Sequence, residues 1–444
     1  MIGEIQPNIP FEVVKDPIYG YVRLYEHEKD IIDTPIFQRL RRIKQLPSAH
    51  YVYPSATHTR FSHCLGVMHI SGIFLSRLLE PYMDVISSEE FCHYFFLMRL
   101  WGLTHDLGHG PFSHTFDSAV LQQMSLNHEY MSSRIILENN EISSIIETKL
   151  RDYQIVPKTL SEYLVKGKEE WTDPHVLGNT EHTEAAFFHI LKGFYSTDII
   201  DYLLRDNLFT GANYGNFDWQ RLILSSHLNK DEIALDEKAR DTLDAFLLSR
   251  LFSFNAIYYH RWSRVVDHIM KVFLTKANEL INFSSYTQNV SDYEKLDEES
   301  IFNIRELESI PERIMLRNRK IPFKLIAEKR ISTSDLPFLT EDILSSILSQ
   351  KLGREVPSEA YFVDTPNLQF VPAIGEDISM MDSTASPPTF SWEPIRVTSW
   401  GNVSQSVWTV RLFLNTQYAS SQEKIKNAFE KTIKKGETKL KTHF

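Results

Sequence analysis

The sequence predicts a large all-α body, roughly residues 28–350, preceded by an N-terminal β-hairpin segment (1–27) and followed by a small C-terminal α/β lobe (351–444). Three observations carry that expectation. Apolar residues recur at helical spacing through most of the body. Alternating apolar runs bounded by turn residues occur at both ends. The composition, 42% hydrophobic with 24% charged and 12% aromatic, supplies a core and excludes global disorder.

The first element is FEVVKDPIYGYVRLYEH, which alternates around Pro17 and Gly20 and reads as a hairpin. The period then changes. EKDIIDTPIFQRLRRIKQL, residues 28–46, is spaced as a helix and ends at Pro47. Helical spacing continues from Thr57 to about Tyr82 and from Glu89 to Thr104. Gly110-Pro111 breaks the chain, and a new helix is expected near Pro111. Further helices are expected near 128–150, 157–168, 182–192 and 196–208, and almost throughout Glu237–Ile281. In the lobe, AYFVDTPNLQFVPA, IRVTSW and SVWTVRLFL read as strands, GEDISMMDSTASPP as an exposed loop, and residues 420–435 as a helix.

Charge and cysteine content narrow the function classes. With 47 basic against 58 acidic residues the net charge is −11, so a general nucleic-acid coat is not expected. Cys64 and Cys92 cannot build a disulfide framework, and a reducing compartment is the simpler expectation. MIGEIQPNIP lacks a basic and then apolar leader, and every long apolar stretch is interrupted by charge, so a cytoplasmic protein without a membrane partner is expected.

Chemistry concentrates in one region. Nine of the 17 histidines lie between His50 and His128. In LTHDLGHGPFSHTFD, His105 and His109 stand four apart, as on one helix face, with Asp106 beside His105. His114 and Asp117 stand three apart after the Gly-Pro break, and upstream THTRFSHCLGV sets Arg60 three before His63. Two imidazoles and a carboxylate from packed helices make a mixed N/O set suited to Fe, Mn, Ni or Zn, or to Mg with waters completing the shell. STDIIDYLLRD adds Asp198, Tyr202 and Asp206 at i, i+4 and i+8, a polar stripe on an otherwise apolar helix. A buried carboxylate needs a partner, and a metal is a natural one. His50, His58, His69 and His93 show no partner pattern, Cys64 reads as packing, and the run Tyr258–Trp262 reads as interface or core.

The ordered segments DPIYGYVRL, DTPIFQRLRRIKQL, HTRFSHCLGV, HDLGHGPFSH, NHEY and DYLLRD resemble the HD-domain deoxynucleoside triphosphate triphosphohydrolases of vertebrates and their bacterial and archaeal relatives. The resemblance runs from about residue 10 to about residue 330. It implies an all-α HD-domain body and a metal held by His63, His105, Asp106 and Asp198. It implies His128 as the catalytic histidine, assisted by His109 and Asp117. Arg60, His114 and Arg250 would contact phosphates, with Gln45, Leu46, Tyr202 and Asp206 at the sugar and base end. Asp33, Gln38 and Arg41 match a regulatory nucleotide site completed by Arg317 and Lys324 of a neighbouring subunit, so a nucleotide effector and a homo-oligomer (dimer or tetramer) are expected.

Three positions depart from that pattern. Phe254 stands where the family has a histidine, Ile199 where it has a lysine next to the last metal ligand, and Glu12 where it has a lysine facing the effector, with Lys15 positioned to replace that charge. The expected function is metal-dependent hydrolysis of deoxynucleoside triphosphates to deoxynucleoside and inorganic triphosphate, regulated by nucleotide, with Mg able to accompany the triphosphate. The rivals are another nucleotide phosphohydrolase or phosphodiesterase, and a nucleotide-sensing or nucleic-acid-binding HD protein whose hydrolysis is incidental.

Overall fold

The computed structural model describes residues 5–167, 170, 174–332, 340–368, 377–394 and 407–440. Strands β1 (Phe11–Asp16) and β2 (Gly20–Tyr25) pair antiparallel, with Phe11 opposite Tyr25 and Asp16 opposite Gly20. The Asp16 carboxylate accepts from the amides of Ile18 (2.8 Å) and Tyr19 (3.1 Å), and Gly20 takes φ +80°, which closes the turn.

The helical body follows. Residues 28–46 do not form the single expected helix. A helix at Glu26–Ile32 ends at Asp33, and Pro35 starts a separate short one at Pro35–Gln38, because proline has no amide to continue the first. The helices Arg60–Leu79 and Ser88–Thr104 pack together as the centre of one large apolar core. The helix expected near Pro111 starts at His114, after Phe112 (φ 64°) and Ser113 (φ 55°), two consecutive non-glycine residues in the left-handed region. His128–Glu138 and Asn140–Lys149 are separate helices, divided at Asn139, which caps the second by accepting from the Glu141 and Ile142 amides. The helix Thr197–Thr210 crosses the Arg60 helix closely: a Cβ on Gly66 would overlap the Asp201 carboxylate. The stretch 237–281 holds two long helices, Arg240–Ser253 and Arg261–Ile281, joined through a π-helical turn at Phe254–Tyr258.

The sheets are built from distant pieces. Strands β3 (Ser226–Asn229) and β4 (Glu232–Asp236) lie within the span expected to be helical. So does β5 (Phe323–Ser332). β6 (Tyr361–Asp364) and β7 (Asn367–Leu368) come from the expected strand region. β8 (Asp377–Asp382) replaces the expected exposed loop, because Ile378, Met380 and Met381 are buried where it pairs in parallel with β4. β9 (Thr389–Pro394) pairs with β8, and β10 (Val407–Asn415) runs antiparallel between β5 and β6. The expected strand at 395–400 and the residues 369–376 lie outside the described residues.

The lobe formed around β10 has its own core, in which Leu344 and Leu348 of the helix Glu341–Leu352 meet Val363, Leu412, Ile425 and Phe429. A mainly helical body with a small C-terminal α/β lobe is the architecture. Among the described residues no helix is long and apolar enough to cross a membrane.

Candidate metal centre and catalytic cavity

Three chain segments converge at the centre. His63 stands one turn into the helix Arg60–Leu79, His105 and Asp106 follow directly on the helix Ser88–Thr104, and Asp198 is in the first turn of the helix Thr197–Thr210. His63 Nε2 lies 3.0 Å from Asp198 Oδ1 and 3.7 Å from Asp106 Oδ2. His105 Nε2 lies 3.5 Å from Asp106 Oδ1 and 3.7 Å from Asp198 Oδ1. The outer nitrogens are fixed from behind, with His105 Nδ1 2.8 Å from the Gly102 carbonyl and His63 Nδ1 2.7 Å from Asp201 Oδ2. Both Nε2 atoms therefore point inward.

The electrostatics favour a cation there. Burial opposes charge on His63, yet Asp198, Asp201 and Asp106 push it up to about 10. Burial opposes charge on His105 too, and Asp106 and Asp198 raise it. Burial would raise Asp106, but Arg60, His105 and His109 hold it well below the usual carboxylate range. His105 Nε2 is buried without a hydrogen-bond partner. An orphaned imidazole nitrogen facing two carboxylates fits a divalent metal, and two N with two O donors suit a transition metal. The Asp198 side chain is 37% exposed, so its carboxylate opens onto the cavity.

Beside this centre stands a second group. His128 begins its helix because Asn127 caps it, accepting from the Tyr130 amide at 2.8 Å. Its Nδ1 is hydrogen-bonded to Asp117 Oδ2. Burial would raise Asp117, but hydrogen bonds from His114 and His128 hold it well below the usual range, so it stays ionised. His109 does not share a helix face with His105, because the helix ends at Thr104 and the chain turns through Gly108. A Cβ at Gly108 would overlap the backbone of His128, so the close approach needs glycine. The turn sends His109 onto His128, the rings stacking at 3.8 Å and 14°. His109 Nε2 is 3.2 Å from Asp106 Oδ1, and burial with the charges of Arg60 and His128 keeps its pKa far down.

All of these groups except the buried His63 and Asp117 line one cavity of ≈ 170 Å³, shared with Gln45, Arg60, His114 and Tyr202. Arg60 pairs with Asp106, and its Nε donates to Ser113 Oγ at 2.8 Å.

Residues 217–334 match the family model described as an HD associated region. An uncharacterised protein of Bacillus subtilis (strain 168) is 29% identical over 306 residues, 65% of this chain and 64% of that protein. The deoxynucleoside triphosphate triphosphohydrolase SAMHD1 of Homo sapiens is 27% identical over 403 residues, 81% of this chain and 63% of that protein. Each alignment thus spans less than two thirds of the relative's length. The crystal structure of a hypothetical protein from Aquifex aeolicus superposes with a TM-score of 0.70 at 26% identity, covering 94% of this chain and 100% of that one.

The chain is similar to HD-domain deoxynucleoside triphosphate triphosphohydrolases over 81% of its length.

Around the HD centre the remaining expected residues are placed as follows. Leu46 lines an adjoining cavity of ≈ 420 Å³ that shares Gln45 and His114 with the first. Arg250 Nη1 is buried without a partner, and the guanidinium charge acts on Tyr202, whose pKa burial raises. Asp206 is buried with both oxygens engaged, Oδ1 by His58 Nε2 at 2.7 Å and Oδ2 by Tyr258 OH at 2.5 Å. The expected regulatory residues do not share a cavity within one chain. Asp33 lines a shallow groove with Asp30 and Asn140. Gln38 donates to the Ile32 carbonyl at 2.7 Å. Arg41 bonds Gln38 at 2.8 Å and lies 3.5 Å over the Phe61 ring. Lys15 sits 4.1 Å over the Tyr21 ring, Arg317 lines a different cavity of ≈ 810 Å³, and Lys324 is on β5.

Four contributors escaped the sequence reading. Asp201 orients His63, His58 and Tyr258 hold Asp206, and Lys192 lines the cavity of ≈ 170 Å³. Only Asp201 had a local signal, the i, i+4 pair with Arg205 in DYLLRD.

Proposed function

We propose that this chain is a metal-dependent hydrolase that cleaves deoxynucleoside triphosphates to deoxynucleoside and inorganic triphosphate. The observation that carries this reading is that His63, His105 and Asp198 come within ligand distance of one another with Asp106 beside them, next to a second, carboxylate-backed imidazole. The similarity to the human deoxynucleoside triphosphate triphosphohydrolase supports the substrate class. His63, His105, Asp106 and Asp198 would hold the metal, their two nitrogen and two oxygen donors suiting Fe, Mn, Ni or Zn, and Mg would accompany the triphosphate. When bound, a divalent metal supplies Lewis-acid polarisation of a phosphoryl oxygen and activation of water.

The protein's own residues do the rest. In the cleavage a water oxygen bonds to the α-phosphorus, the bond from that phosphorus to the 5′ oxygen breaks, and the proton released by the water restores the one that His128 gives up. The ionised Asp117 keeps a proton on His128 Nδ1, which turns Nε2 to the cavity to hand its proton to the departing 5′ oxygen. The stacked, neutral His109 fixes the plane of that imidazole. Arg60, His114 and Arg250 bind phosphate oxygens. Gln45, Leu46, Tyr202 and Asp206 shape the sugar and base end.

Regulation belongs to the same proposal. Lys15, Asp33, Gln38 and Arg41, with Arg317 and Lys324 from a neighbouring copy, hold an effector nucleotide that stabilises a homo-oligomer by mass action. Light scattering with each nucleotide, on wild type and Arg41→Ala, tests it: a mass indifferent to every nucleotide in both proteins removes the regulatory half. Incubation with each dNTP and metal, followed by chromatography, tests the activity. Deoxynucleoside with triphosphate is expected. Deoxynucleoside monophosphate with pyrophosphate moves the chain to another phosphohydrolase class, and tight binding without turnover makes it a sensor.

A further inference from the structure

The catalytic cavity is short of mobile positive charge. Its described lining includes three carboxylates, Asp106, Glu129 and Asp198, and two permanent cations, Arg60 and Lys192. Arg60 is held in one place, its guanidinium paired to Asp106 and bonded to Ser113, both in the core, so it can meet a phosphate only from that fixed position. Lys192 differs. It ends the short helix Phe188–Lys192, and its ammonium donates to the Leu164 carbonyl at 2.8 Å and pairs with Glu129 Oε1 at 3.0 Å. Glu129 is 39% exposed and Lys192 25%. An ion pair this open to water is weak and readily exchanged.

Lys192 also has room on both sides. Beyond it lies a second cavity of ≈ 560 Å³, lined by Phe188, Phe194 and Trp392, so the lysine is part of the wall between the two. A lysine stem with four rotatable bonds and three donors adapts to an anion on either side without backbone movement.

We propose that Lys192 is a polyphosphate-binding residue of the catalytic cavity and that Glu129 holds its ammonium until substrate phosphate displaces the carboxylate. The proposal rests on the hydrolase reading above, because that reading puts a polyanion in this cavity. The bland alternative is that Lys192 only staples the His128 and Pro157–Val165 helices together through Glu129 and Leu164.

The probe is inorganic triphosphate, titrated by calorimetry into the metal-loaded full chain, with dNTP kinetics in parallel. Lys192→Gln keeps a donor for the Leu164 carbonyl and removes the charge, while Lys192→Arg keeps the charge. Lys192→Gln is expected to weaken triphosphate binding roughly 10- to 100-fold, the value of one charge-assisted contact, and to raise KM more than it lowers kcat. Lys192→Arg is expected to restore most of that affinity. Glu129→Gln is expected to tighten binding in the wild-type background by more than in the Lys192→Gln background.

Wild-type affinity in a folded Lys192→Gln protein, or equal effects of Glu129→Gln in both backgrounds, overturns the proposal. Loss of thermal stability in both Lys192 variants with unchanged triphosphate affinity also overturns it, in favour of the staple. A wild type that binds triphosphate through Lys192 but hydrolyses no dNTP sinks the hydrolase reading alone. One that binds no triphosphate sinks both.

Discussion

Asp201→Asn tests whether the HD centre is held from behind. Asp201 is wholly buried, and its two oxygens accept four hydrogen bonds: from Tyr19 OH at 2.8 Å, from His63 Nδ1 at 2.7 Å, and from Arg205 Nε and Nη2, each at 2.9 Å. Each oxygen serves one guanidinium nitrogen and one other donor. An asparagine amide keeps one acceptor and turns its NH₂ on two donors, whichever way it is placed. Two bonds are therefore lost, and the Arg205 cation retains only Asp16 Oδ2, at 2.9 Å, as a carboxylate partner. Breaking a buried pair on one side costs about 3–5 kcal/mol. His63 also loses the carboxylate that orients it, which weakens metal binding roughly 10- to 100-fold. Urea unfolding of the metal-free protein measures the first effect, and competitive metal titration at neutral pH measures the second. Metal affinity within experimental error of wild type, in a protein whose urea midpoint has not moved, would refute the reasoning.

Three further outcomes follow from particular residues. Burial, reinforced by Arg99 and Arg23, pushes His69 down to about 3; burial with Lys44 puts His50 at about 4, and burial with Lys271 and Arg264 puts His268 at about 4. Unfolded histidine binds protons below pH ~6.5 and these do not, so stability falls as pH drops from ~6.5 towards 4; urea midpoints should show that slope, and His69→Phe should flatten it. Gly66→Ala should lower thermal stability by at least the ~1–3 kcal/mol of an overpacked core and loosen metal binding, because its Cβ collides with Asp201 and Arg205; a wild-type melting curve and metal affinity would contradict the contact. Asp117→Asn should leave metal content unchanged and cut kcat roughly 100-fold or more by removing the charge behind His128; an unchanged rate would take His128 out of proton transfer.

Local pattern was enough for much of the fold. The alternation around Pro17 and Gly20 gives β1 and β2, and the helical spacing after Thr59 gives the His63 helix. What failed was non-local. Met380 and Met381 sit in an acidic, small-residue stretch, and only pairing with Leu235 and Asp236, far upstream, makes them a buried strand. β5 joins the lobe because all nine residues of β10 pair with it, a contact without a signal inside FKLIAEKRIS. The centre was legible in part for the same reason. His63, His105, Asp106 and Asp198 carry local motifs, whereas His58, in the loop before the Arg60 helix, gains meaning only from Asp206 on the helix Thr197–Thr210. His109 departs from the helix face that its i, i+4 spacing predicts because the helix ends at Thr104 and the chain turns at Gly108.

Metal content by elemental analysis, after chelation and reconstitution, tests the central claim most directly. About one divalent ion per chain is predicted for wild type, and none for folded His105→Ala or Asp106→Ala, since each variant removes one of four ligands from a single site. Full occupancy in both variants, with helical content intact, would contradict the account.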